Sequence, residues 1–214
     1  MHAYLADMTF ETSFKHLYKP GDASLPPLLL LHGTGGNEHD LIGLGEAVAP
    51  GRALLSPRGQ VLENGMPRFF RRFAEGLLDE DDIRKRGAEL AGFITDARQA
   101  YGLAAPVALG YSNGANIAAA LLLLYPDIFA GAVLLRAMAP FKQLPAVTLP
   151  ATRVLLLSGQ NDQMIPLTEA SRLAVHLQKS GAILEHKSFP TGHGLTQPDL
   201  TEITRFLAGT EHRP

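Results

Sequence analysis

PVALGYSNGANIAAALLLLYP, residues 106–126, passes from a short apolar run through a glycine-bounded bend into a longer apolar run. The first part has the length of a buried strand and the last part that of a helix. At the bend stands Gly110-Tyr111-Ser112-Asn113-Gly114, a Gly-x-Ser-x-Gly pattern. Chance supplies only about 0.08 such patterns in a chain of this composition. Two readings compete: a tight turn that happens to contain serine, or a sharp strand-to-helix turn that exposes a reactive hydroxyl.

Working outward, the same alternation continues in both directions. Strands are expected at 28–32, 53–56, 106–110, 130–135, 153–158 and 183–189. Most are apolar on both faces, as in a parallel sheet covered by helices on each side. Residues 9–18 alternate more and predict an antiparallel edge strand. Helices are expected at 38–48, 80–101, 113–125, 167–180 and 197–208. Asn37 with Asp40 resembles a capping box for the first. Asp81/Lys85 and Asp82/Arg86 support an exposed face on the second, and Gly181 stops the fourth. The expectation is one domain over residues 1–214: a three-layer α/β sandwich with a mostly parallel sheet and no separate lid domain. Residues 57–79 form the longest stretch assigned to neither helix nor strand.

Composition narrows the function. A net charge of −2 and a pI near 6.4 leave no broad basic face for nucleic acid. The basic cluster Arg68-Phe69-Phe70-Arg71-Arg72 is local, and acidic residues follow at 79–82. Without cysteine there is no disulfide framework, thiolate metal site or cysteine nucleophile. MHAYLADMTF lacks the basic-then-apolar order of a signal peptide, and no apolar run approaches the ~20 residues of a membrane helix. A cytoplasmic protein with no membrane association is expected. A homodimer stays open.

In open α/β sheets, ligands bind beyond the carboxyl ends of the strands, so the loops there carry the chemistry. A serine hydroxyl at such an end needs a base to take its proton. The loop His32-Gly33-Thr34-Gly35-Gly36 admits a phosphate cradle or an oxyanion hole. Glu38 stands where the third glycine of a dinucleotide fingerprint belongs, and the strand 53–56 does not end in a ribose-binding carboxylate. An oxyanion hole built from the Thr34 and Asn113 N–H groups fits better. Asp162 follows the strand 153–158, and His193 sits between two glycines after the strand 183–189. A lone loop Asp is usually a turn former. Three such residues at three strand ends, in the order Ser112, Asp162, His193, match the α/β-hydrolase order. His32 is read as a backbone-orienting residue, and His39, His176 and His186 as structural. No metal-ligand spacing such as HExxH occurs, so neither metal nor cofactor is expected.

HGTGGNEHDL, LLSPRG, NGMPRFFRR, GYSNGANIA, LLRAMAP and GHGLTQPDL together resemble the small phospholipase/carboxylesterase family of α/β hydrolases, related to acyl-protein thioesterases. Within it they are similar to a bacterial branch described as hydroquinone- or catechol-stress hydrolases. The resemblance spans roughly residues 10–208. It implies Ser112, Asp162 and His193 as a catalytic triad, with Thr34 and Asn113 as oxyanion donors. The thioesterase members usually carry Gln after the serine. Asn113 stands there in this chain, which points away from acyl-protein thioesterase activity. The reading is a serine carboxylesterase for small esters with short acyl chains. A thioesterase or lysophospholipase using the same triad is the enzymatic alternative, and a non-catalytic binding protein on a hydrolase fold the other. Arg68, Phe69 and Phe70 are expected to wall the substrate pocket.

Overall fold

A seven-stranded sheet organises the computed structural model, which describes residues 12–210. In chain order the elements begin with β1 (His16–Lys19), β2 (Leu28–Leu31), α1 (Ile42–Val48) and β3 (Leu54–Pro57). Four short strands follow: β4 (Val61–Glu63), β5 (Met66–Arg68), β6 (Arg72–Ala74) and β7 (Leu77–Leu78). Then come α2 (Glu80–Tyr101), β8 (Val107–Tyr111), α3 (Asn113–Leu124), β9 (Gly131–Leu135), β10 (Arg153–Gly159), α4 (Leu167–Lys179), β11 (Ile183–Phe189) and α5 (Gln197–Ala208). The sheet order is β1-β3-β2-β8-β9-β10-β11, parallel throughout except for the antiparallel β1–β3 pair at one edge. Residues 9–11 of the expected edge strand lie outside the described residues.

Side-chain alternation explains why these runs are apolar on both faces. Leu29, Leu31, Ala108, Leu134 and Leu156 point to the layer made with α2, α3 and α4. Leu28, Leu30, Leu109, Val133 and Leu155 point to the opposite layer, made with α1 and α5. All four leucines of β2 are fully buried. Burying each contributes about 1.5–3 kcal/mol relative to exposure, and the buried polar side chains of the inner strands, Ser56 of β3 and Ser158 of β10, stand near the carboxyl ends of those strands. Functional groups can enter only at the strand ends.

Helix ends follow local chemistry. The Asp79 side chain accepts from Asp82 N–H at the start of α2, and Gly102 ends it in the left-handed region at φ 64°. The Asp82–Arg86 pair (3.5 Å) forms, but Asp82 is buried and accepts from Arg71 N–H (2.7 Å), so it does not belong to an exposed face. At Gly181 the chain closes α4 with Ala182 N–H to Leu177 O and Gly181 N–H to Gln178 O. The first helix begins at Ile42 rather than 38, and the expected Asn37–Asp40 capping box does not form. Asn37 Oδ1 accepts instead from His39 N–H (2.9 Å), a side-chain turn that competes with helix.

The stretch 57–79 is not irregular. β4 and β5 pair antiparallel around Asn64-Gly65, both residues at positive φ, and β6 pairs with β7 around Glu75-Gly76. Asn-Gly between paired strands is the favoured two-residue hairpin turn, because its backbone twist matches that of the strands. Among the described residues no helix is long and apolar enough to cross a membrane.

Candidate active site

The loops after β2, β8, β9, β10 and β11 leave the same edge of the sheet, its carboxyl end. The loop after β8 is the sharpest. Ser112 sits at φ 53°, ψ −113°, an unfavourable conformation for a residue with a side chain. Glycine is required on both sides of it. A Cβ at Gly110 would lie 2.5 Å from Gly114 O, and one at Gly114 only 2.0 Å from Leu31 O. The turn therefore packs backbone against backbone and projects the serine side chain beyond the strand.

The structure brings the three distant residues together. His193 Nε2 is 2.9 Å from Ser112 Oγ, and His193 Nδ1 is 2.8 Å from Asp162 Oδ2. The Asp162 side chain is buried, and its Oδ1 accepts from Met164 N–H (2.9 Å) and Ile165 N–H (3.0 Å). Those bonds hold the carboxylate in one orientation. With Nδ1–H donating to Asp162, Nε2 is left as the acceptor for the serine proton.

Thr34 and Asn113 line the same cleft as Ser112, which encloses about 320 Å³ of space including the open mouth. Arg68, Arg72, Glu75 and Asn116 supply polar wall, while Leu78, Met138, Met164 and Ile165 supply apolar wall. Asn113 begins α3, where the first N–H groups have no intrahelical acceptor. Its side chain faces inward: Oδ1 accepts from Phe69 N–H (2.7 Å), and Nδ2 is buried without an acceptor among the described residues. Thr34 Oγ1 accepts from Arg68 Nη1 (2.8 Å), and Gly35 N–H donates to Pro67 O (2.9 Å). The first hairpin thus braces the glycine-rich loop.

Arg68 lines the cleft, whereas the two phenylalanines expected beside it do not. Phe69 and Phe70 are buried in the layer beneath, at 3% and 0% exposure, and neither ring lines the cleft. Phe69 packs on His32 (4.7 Å between ring centres) and Phe70 lies under the Arg68 guanidinium (5.8 Å). Their apolar area is worth more in the core than on a polar pocket wall.

His32 orients backbone as expected. Its Nε2 accepts from Gly59 N–H (2.9 Å), so Nδ1 carries the proton and donates to Gly33 O (2.7 Å). Burial favours this neutral form and pushes the histidine below its ordinary range. The same loop is pinned further along by Glu38, whose carboxylate accepts from Arg58 Nε (2.5 Å) and Nη2 (2.9 Å). Burial would raise its pKa, but the bonds from Arg58 and Lys15 and the positive charge outweigh it and hold Glu38 at about 2. An unfolded glutamate titrates near 4.5, so this stabilisation is complete above that pH and is lost as pH falls towards about 2. Glu38→Gln should therefore lower the denaturant midpoint at pH 7, with the gap to wild type closing between pH 4.5 and 2. A gap independent of pH would mean that Glu38 acts by packing alone.

Three residues essential to the geometry went unassigned in the sequence. Arg136 stands after β9 at φ 56° and is 1% exposed. Its Nη1 and Nη2 each donate to one oxygen of the buried Asp199 (2.8 Å both). The remaining donors reach Gly192 O (3.2 Å), Leu157 O (3.3 Å) and Gly194 O (2.9 Å). One guanidinium thus grips the chain on both sides of His193, and Tyr111 Oη donates to His193 O (3.1 Å). Burial would raise the pKa of Asp199, but its bonds to Arg136 and Thr196 keep it low. Asp199 also completes a capping box with Thr196 at α5, so it is committed elsewhere and does not compete with Asp162. An arginine ending an otherwise apolar strand, in LLRAMAP, was the available signal.

A mostly parallel seven-stranded sheet between helical layers, with a strained serine turn after its central strand, is the architecture of the α/β hydrolases. The chain belongs to the phospholipase/carboxylesterase family, whose family model matches residues 15–211. It is 44% identical over 194 residues to the putative hydrolase MhqD of Bacillus subtilis (strain 168), covering 90% of this chain and 96% of that one. The crystal structure of the Bacillus cereus carboxylesterase superposes with a TM-score of 0.90 at 42% identity, over 92% of this chain and 95% of that one. A carboxylesterase from Mesorhizobium loti superposes with a TM-score of 0.88 at 30% identity, over 97% and 98% of the two chains.

Proposed function

We propose that this protein is a serine carboxylesterase that hydrolyses small carboxylic esters through an acyl-enzyme. The hydrogen-bonded line from Ser112 Oγ through His193 to Asp162 carries the reading. His193 Nε2 takes the hydroxyl proton as Ser112 Oγ attacks the ester carbon, and the carbonyl oxygen becomes an oxyanion held by the Thr34 and Asn113 N–H groups. The protonated imidazole is stabilised by ionised Asp162 and returns the proton to the departing alcohol. Water then enters, gives its proton to Nε2, and attacks the acyl carbon. The acid leaves, and Ser112 recovers its proton from the imidazole. Each group begins and ends the cycle in the same state, so the residues present suffice for the chemistry.

The acyl chain is short in this reading. The cleft at Ser112 is small and half its wall is polar, giving a long alkyl chain little to gain. Where a methylene does find room it adds about 0.8 kcal/mol, close to a four-fold rise in kcat/KM. The rate should therefore climb gently and then fall once the wall is met. Acyl esters from two to sixteen carbons, and the matching thioesters, assayed with and without micelles, test this. Peak kcat/KM on short esters, no jump at the critical micelle concentration, and fluorophosphonate labelling confined to Ser112 are expected. An adjoining open groove of about 640 Å³, its mouth included, lined partly by Leu77, Met138 and Phe141, is where a long chain would lie. A peak beyond about ten carbons would place the acyl group there and favour a lysophospholipase.

A further inference from the structure

The cleft at Ser112 contains a buried cation that its protein partners do not saturate. Arg68 is 3% exposed. Its Nε donates to Phe70 O (3.1 Å), and its Nη1 donates to Thr34 Oγ1 (2.8 Å) and Glu63 Oε2 (2.9 Å). A guanidinium has five N–H donors, and these contacts use three. The two on Nη2 meet no acceptor among the described residues. Nor is Nη2 sealed away as Asn113 Nδ2 is, and Arg68 lines the cleft together with Ser112. The small accessible part of this side chain therefore opens on the space where the ester must sit.

Charge decides what fits there. Glu63 bridges Arg68 and Arg72 (2.9 and 3.0 Å), and Arg72 also bonds Glu75. The hydrogen bond from Arg72, followed by the neighbouring charges, keeps Glu63 ionised. Arg68, Arg72 and Glu75 line the cleft, Glu63 stands behind them bridging the two arginines, and the charge of the four sums to zero. An incoming carboxylate would lose its hydration without meeting uncompensated positive charge, and would approach Glu75 in the wall and Glu63 behind it. An ether, ketone or hydroxyl oxygen accepts the Nη2 hydrogen bond at a much smaller desolvation cost.

We propose that Arg68 is a specificity-determining residue whose Nη2 binds an uncharged oxygen of the substrate, so that the preferred esters carry a second neutral acceptor close to the scissile carbonyl. This rests on the esterase reading and names its substrate class. Arginine suits the position because its fork braces the Thr34 loop with one arm and leaves the other for substrate. A purely structural role would use the first arm only.

The test compares esters of one alcohol with acids of matched length: butanoate against methoxyacetate, and pentanoate against 3-methoxypropanoate and hemisuccinate. Each kcat/KM is divided by the ester's alkaline hydrolysis rate, which removes intrinsic reactivity. The wild-type protein should favour at least one methoxy ester over its alkanoate by about ten-fold, the factor that one hydrogen bond to a charged group supplies. Hemisuccinate should fall below the methoxy ester. In Arg68→Met the preference should shrink to within about two-fold, even if every rate drops through loss of the Thr34 contact. Glu63→Gln leaves the wall with net positive charge and should raise hemisuccinate relative to 3-methoxypropanoate, so the inference is testable even if Arg68→Met does not fold. Wild-type protein that hydrolyses alkanoates at least as well as both methoxy esters overturns the inference and leaves the esterase reading standing. Hydrolysis of none of the five esters overturns both.

Discussion

Replacing Ser112 by alanine should leave a folded protein whose kcat for ester hydrolysis falls on the order of 10⁶-fold, the loss seen when a serine hydrolase is stripped of its nucleophile. The residual rate would come from the oxyanion donors and from binding, which survive the change. Stability separates this from a folding defect. Ser112 Oγ makes one hydrogen bond to His193, worth about 0.5–1.5 kcal/mol net. The strain at φ 53°, ψ −113° costs about 1–3 kcal/mol and remains in alanine, which also has a Cβ. Glycine would release most of it, less the ~0.5–1 kcal/mol of extra chain entropy that glycine loses on folding. Ser112→Gly should therefore be as inactive as Ser112→Ala and melt at a higher temperature. Thermal unfolding of both variants beside an ester assay checks each half. A Ser112→Ala protein with near wild-type turnover would remove the serine mechanism altogether.

How much of this was legible depends on whether one residue's chemistry is local or shared. The β8–α3 turn was legible because its two glycines answer backbone contacts within a few residues and at the end of β2, and no other residue fits. The buried strands were legible because both their faces are covered, which leaves an uninterrupted apolar run. The β4–β5 hairpin was also written locally, in Asn64-Gly65, yet its three-residue strands are too short to show alternation. Phe69 and Phe70 were ambiguous for a different reason. A phenylalanine near a site reads the same whether it faces the pocket or plugs the layer below, and the packing of Phe69 on His32 and of Phe70 under Arg68 distinguishes the two. Arg136 shows the limit most clearly. Its partners are at 157, 192, 194 and 199, so nothing in its own neighbourhood announces that it grips the His193 loop.

Gly114→Ala should be among the most destabilising single-methyl additions in this chain, and the reason lies in how the site is assembled. The added Cβ would stand 2.0 Å from Leu31 O, 2.4 Å from Leu31 C and 2.6 Å from His32 O. All three are backbone atoms at the end of a fully buried strand, so no side chain can swing aside. Relief requires α3 to move off β2, against a core packed at crystal-like density. Overpacking a core costs about 1–3 kcal/mol even where side chains can give, so a cost of about 3 kcal/mol or more is expected here. For a chain of this size that lowers Tm by roughly 6–12 °C. The displacement would also act on chemistry, because Asn113 precedes Gly114 and Thr34 follows His32 by two residues. Pushing these backbones apart widens the gap between the two N–H groups proposed to hold the oxyanion, so any folded fraction should show a lower kcat with little change in KM. Gly43→Ala is the matched control. Gly43 lies in α1 with nothing within 4 Å of the added carbon, and there alanine should stabilise by about 0.5–1 kcal/mol. Denaturant midpoints for the two variants should therefore move in opposite directions. A Gly114→Ala protein with wild-type midpoint and wild-type kcat would mean that β2 and α3 do not approach closely enough to need glycine, and that the oxyanion donors are not set by that contact.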